Sequence, residues 1–148
     1  MSRTFLNQVK NRRSVYAIDN KEIVSLDEVE TIVKESITHV PSAFNSQSGR
    51  AILLKTEAHL KFWSNLKEVL KSIVPAEQFE ATETRIDGFA SGYGTVLFFE
   101  DQGVIQYLQE NFQTYKDNFP IWSQQSNGML QFVVWTAFAE AGLGASLQ

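Results

Sequence analysis

The stretch from Gln124 to Ala141 limits the fold more than any other part of this chain. Its apolar residues, Met129, Phe132, Val133, Val134, Trp135 and Phe138, fall around most of a helix's circumference, which predicts a helix buried on nearly every side. Gly142 ends it as a C′ residue. A chain of 148 residues is the size of one domain with one core. Such a protomer supplies too little cover for a helix of this kind, and a second copy supplies the rest. The sequence therefore predicts a single domain over 1–148 that assembles as a homodimer.

Upstream, the pattern is mostly helical. Phe5, Leu6 and Val9 give a short helix from Thr4 to Lys10. Ser25 and Glu28 form a capping box, after which Leu26, Val29, Ile32, Val33 and Ile37 recur at helical spacing until Pro41 stops the helix. A strand follows from Ala51 to Lys55. A helix from Glu57 to Ile73 buries Leu60, Trp63, Leu66, Val69 and Leu70, and a weaker one runs from Ala76 to Phe89. Gly88, Gly92 and Gly94 break the backbone before the continuous apolar run Thr95 to Phe99, read as a central strand covered on both faces. Val104, Ile105, Leu108 and Phe112 support a further helix after Asp101. Strands separated by helices predict an α+β class, a three-layer α/β/α sandwich with a central, mainly antiparallel sheet. Two strands make a poor sheet, so a further C-terminal strand and tail are expected beyond Gln148.

A net charge of −4 and a pI near 5.2 argue against nucleic-acid binding, which needs a broad basic surface. No window approaches the roughly 20 apolar residues of a membrane span. With no cysteine and only His39 and His59, both read as surface or capping residues, there is neither a thiolate nor a histidine-rich metal site, and the reading is cytoplasmic.

Two short motifs carry chemistry. Arg12-Arg13-Ser14 sets two guanidinium groups beside a hydroxyl, donors that fit a phosphate, although cations closing a helix also complement its dipole. Pro41-Ser42-Ala43-Phe44-Asn45-Ser46-Gln47 is an irregular loop rich in small and amide residues. Their order, with Ser126-Asn127-Gly128 at a helix entry and Gly142-Leu143-Gly144-Ala145 at the close, resembles the nitroreductase family. The stretch from Tyr93 to Asp101 is similar to its fungal-type, Frm2-like branch.

The resemblance implies a nitroreductase-like fold and an intertwined homodimer with FMN at each subunit interface. Arg12 and Ser14 would hold the phosphate, with Arg13 against phosphate or ribityl chain. Pro41, Ser42, Ala43 and Asn45 would reach the isoalloxazine from the opposite subunit, with Gln47 nearby and Gly144 passing the ring's other side. Tyr16 stands where many members carry Arg or Lys, and would pack on the flavin or donate its hydroxyl. The implied activity carries hydride from NAD(P)H through flavin to nitroaromatic or quinone acceptors, with no side chain acting as catalytic acid or base. The alternative is a non-catalytic protein that binds flavin or another small ligand in regulation or stress response.

Overall fold

The structure, a computed structural model, describes residues 4–148. Its elements are α1 (Thr4–Asn11), α2 (Leu26–His39), a 3₁₀ turn at Ala43–Asn45, β1 (Gly49–Lys55), α3 (Thr56–Lys71), α4 (Ala76–Ala90), β2 (Gly94–Glu100), α5 (Gln102–Asn111), a second 3₁₀ turn at Gln113–Tyr115 and α6 (Phe119–Glu140). Ser25 caps α2 as expected, its hydroxyl accepting the Glu28 N–H at 3.2 Å.

The two strands pair antiparallel, Gly49 opposite Glu100 through Lys55 opposite Gly94. Alternation along them sorts the sheet into two faces. On one, Ala51, Val96 and Phe98 pack against Val33 of α2 and Leu130 and Val134 of α6. On the other, Thr95 meets His59 and Trp63 of α3. That gives three layers, α2 and α6 over the sheet over α3, in an α+β chain. This second face is covered at the Thr95 end only, since Ile52 and Phe99 stay about half exposed, so β2 is not buried on both faces along its length.

Glu30 ties α2 to the end of β1, accepting from Lys34 at 2.6 Å and Lys55 at 2.5 Å. Hydrogen bonding to Lys34 and Lys55 lowers its carboxyl from 4.5 to about 2. The contact is therefore complete above the ordinary carboxylate value and is lost only as pH falls toward 2.

Four expectations are corrected. The last helix begins at Phe119 rather than Gln124, because Pro120 in a first turn lacks only an N–H that the helix does not use; Ser126, Asn127 and Gly128 thus lie in its body, not at its entry. Gly88 does not break the backbone but sits inside α4, which ion pairs from Lys67 of α3 to Glu83 and Asp87 hold in place. Leu60 and Val69 point outward from α3, and His59 takes the buried side with Trp63. His59 is accordingly no surface residue, being only 2% exposed.

Burial is tolerable there because every polar atom is matched. His59 Nε2 faces the Ala90 carbonyl at 3.1 Å, an acceptor only, so the ring proton sits on Nε2. Nδ1 then accepts from the Thr95 hydroxyl at 2.8 Å, and that oxygen accepts Trp63 Nε1–H at 2.9 Å. Thr95→Val strips both rings of their shared partner at nearly constant volume. It should cost about 1–3 kcal/mol per orphaned group, seen as a lower urea midpoint with unchanged far-UV circular dichroism.

Candidate functional site

Gly142 takes a left-handed φ of 87°, and the Gly142 and Leu143 N–H groups bond back to Ala139 and Phe138 at 3.2 and 2.9 Å. This is a Schellman ending. It turns the chain alongside the arginine motif, where Ser14 and Ala145 form a parallel bridge and Val15 N–H donates to the Ala145 carbonyl at 3.0 Å. Trp135 Nε1 donates to the same carbonyl at 3.2 Å, and its ring carries the Arg12 guanidinium 4.1 Å from the centroid.

Arg12 has no ion pair among the described residues, and its Nε and Nη1 are buried without a hydrogen-bond partner. Arg13 and Ser14 are exposed, and their side chains bond to nothing among the described residues. Two cations and a hydroxyl with no acceptor among the described residues form a donor-rich corner whose chemistry suits an anion. Tyr16 stands beside it, 73% exposed.

The second motif forms a separate group. Pro41 follows the Val40 cap of α2, and the loop then folds on itself. Asn45 N–H reaches Ser42 O at 2.9 Å, Ser46 N–H reaches Ala43 O at 3.1 Å, and Ser42 Oγ accepts Gln47 N–H at 2.9 Å. Phe44, Asn45 and Gln47 all take left-handed φ, at 57°, 50° and 50°. Asn45 and Gln47 are exposed, and their side-chain amides have no partner among the described residues.

Residues outside both motifs hold this loop. Arg50 Nη1 donates to the Gln47 carbonyl at 2.7 Å, while its Nη2 pairs with Asp101 at 2.8 Å. Asp101 also caps α5, accepting from Gly103 N–H at 3.0 Å. Ser48 donates to Glu100 at 2.5 Å, and Asn127 donates to the other Glu100 oxygen at 3.0 Å while its own carbonyl accepts from Gln131. Asp101, after which the sequence placed a helix, is its N-cap; the Ser48–Glu100 and Arg50–Asp101 contacts gave no local signal, since those partners are distant in the chain.

The motifs are both anchored to α6, at opposite ends. Phe44 stacks on Trp122 at 5.9 Å, and Arg12 sits on Trp135. Between three and four turns separate the two indoles, about 20 Å at 1.5 Å per residue. Within one protomer the arginine corner and the amide loop therefore stand too far apart to grip one small molecule.

Gly144 shows why its position lacks a side chain: a Cβ there would lie 3.0 Å from both Cβ and Cγ1 of Val15. Val15 is stiff and pinned through its own N–H. Gly144→Ala should destabilise the protein by about 1–2 kcal/mol in chemical denaturation. Adding Val15→Ala should recover most of that loss in a double-mutant cycle.

Residues 9–148 match the model of the nitroreductase family. Nitroreductase FRM2 of Saccharomyces cerevisiae is 34% identical over 146 residues, which cover 97% of this chain and 72% of the yeast protein. Among solved structures, nitroreductase CinD from Lactococcus lactis in complex with chloramphenicol has a TM-score of 0.87 at 41% identity, covering 98% of this chain and 73% of CinD. A Desulfovibrio desulfuricans protein solved in complex with FMN shares the fold, with a TM-score of 0.62 at 17% identity over 95% of this chain and 65% of that one. The family match takes in the arginine corner, the amide loop and the whole of the helix that anchors them; the chain belongs to the nitroreductase family of oxidoreductases, close to its yeast members.

Proposed function

We propose that the protein is an FMN-dependent oxidoreductase that uses NAD(P)H to reduce nitroaromatic or quinone acceptors, in a cytoplasmic setting. The observation that carries this reading is the Arg12 guanidinium, buried in part on Trp135, beside the Ser14 hydroxyl, neither of them with an acceptor among the described residues. A phosphate dianion suits that donor set. Arg12, Arg13 and Ser14 would hold the FMN phosphate, with Tyr16 alongside. Pro41, Ser42, Ala43, Asn45 and Gln47 of a second copy would meet the edge of the ring system, and Gly144 would keep the neighbouring backbone low. When bound, FMN supplies the redox chemistry, taking hydride from NAD(P)H and passing electrons to the acceptor. The side chains orient the cofactor and stabilise negative charge at its ring edge.

A second copy is what unites the two half-sites. Ile121, Met129 and Phe132 of α6 are 38–57% exposed on the helix face away from Leu130 and Val134, with Val133 at its flank, and exposed Gln125 and Gly128 complete the stripe. Gly128 lies midway between Trp122 and Trp135, and a Cβ built there meets nothing within 4 Å. An antiparallel crossing of two α6 helices near Gly128 carries the Trp135 end of one copy to the Trp122 end of the other. It would build two equivalent sites about one dyad.

Purified protein should bind FMN and oxidise NADH or NADPH when given a nitroaromatic or a quinone. Arg12→Ala should weaken FMN binding by about 10- to 100-fold, measured by flavin fluorescence quenching, as expected for loss of charge-assisted bonds. Tight FMN binding without NAD(P)H turnover would select the non-catalytic alternative. Gly128→Leu should leave the protomer folded, since leucine favours helix over glycine, yet weaken the dimer. Sedimentation velocity at micromolar concentration should then show monomer where the unsubstituted protein shows dimer.

A further inference from the structure

Phe44 is an unexpected residue for its backbone. At φ 57° and ψ 19° it occupies the left-handed region, where a bulky side chain is disfavoured and glycine or asparagine is the usual choice. Something must offset that cost. The ring sits edge-on to Phe112 and Phe119 at 5.2 Å each, tilted against Tyr115 at 5.5 Å and stacked on Trp122 at 5.9 Å. Ile105, Leu108 and Phe119 pack with Val104 and Trp122 as a core cluster, and Phe44 covers its rim through Phe119 and Trp122. Phe44 itself stays 48% exposed. A half-exposed ring held at the rim of the core on a strained backbone fixes the direction of what comes next in the chain, Asn45 and Gln47.

We infer that Phe44 is a positioning residue: its ring, seated among Phe112, Tyr115, Phe119 and Trp122, locks the left-handed turn that presents the Asn45 and Gln47 amides. This rests on the flavin reading for its ligand. The socket comes from the residue that ends α5, the second 3₁₀ turn and the start of α6, so the geometry of the amide loop is set by elements remote from it in sequence.

The test compares Phe44→Gly, Phe44→Ala and Phe44→Tyr with the unsubstituted full chain. Three readouts are needed: the Kd for FMN by flavin fluorescence quenching, the thermal midpoint without flavin, and hydrogen exchange of the Asn45, Ser46 and Gln47 amides. Phe44→Gly relieves the backbone cost but removes the ring, and Phe44→Ala removes the ring alone. Both should raise Kd about ten-fold or more at a temperature where every variant is fully folded, and speed exchange at the three amides by a similar factor. Phe44→Tyr should keep Kd within about two-fold, because the ring fills the same socket. A purely structural role would lower the midpoint while leaving the Kd of folded protein and the three exchange rates unchanged, which overturns the inference. Failure of the unsubstituted protein to bind FMN overturns the flavin reading instead, and the exchange rates then still decide whether the ring holds the loop.

Discussion

Leu130 and Val134 press the middle of α6 against Val33 and against Ala51, Val96 and Phe98 of the sheet, and both are at most 3% exposed. Burial of this kind stabilises by about 1.5–3 kcal/mol per side chain, so α6 is expensive to displace. Its two ends are fixed in consequence. One end brings Phe119 against Ile105 and Leu108 of α5, and the other meets α1, where Gln8 donates to Glu140 at 3.2 Å. Since Trp122 and Trp135 belong to this same rigid element, both functional motifs inherit their positions from it.

The contrast between satisfied and unsatisfied polar groups carries the functional argument. His59 and Trp63 are both satisfied through the Thr95 hydroxyl, and Ser48 and Asn127 are both satisfied through the Glu100 carboxylate under the amide loop. Against that background, the two buried Arg12 nitrogens without a partner are an exception. Among the described residues the other buried side-chain polar atoms are matched, so the unmatched guanidinium is what singles out Arg12 in the proposed phosphate site.

Helical periodicity made five of the six helices legible to within a few residues, most sharply α2, with its Ser25–Glu28 capping box and its stop at Pro41. The sixth, α6, was legible as apolar all round but not in its start, where Pro120 reads as a breaker although a first turn accepts it. His59 and Gly88 were misjudged for a shared reason: their environments are set by Thr95 and by Lys67, residues of other elements that no local window contains. The site was legible as two motifs. What sequence could not supply was their separation, or the aromatic socket and the Arg50–Asp101 pair that hold one of them, because these depend on how α5 and α6 meet the end of β1.

With one motif tied to each end of α6, the helix works as a ruler. Inserting or deleting one residue between Trp122 and Trp135 would turn one end against the other by about 100° and shift it by about 1.5 Å. In the proposed pairing both copies would suffer the same misregister, so both pockets would be spoiled at once even if every liganding side chain were intact. The span of α6 is therefore constrained by geometry apart from its composition: a substitution acts at its own position, whereas a change of length acts at both ends.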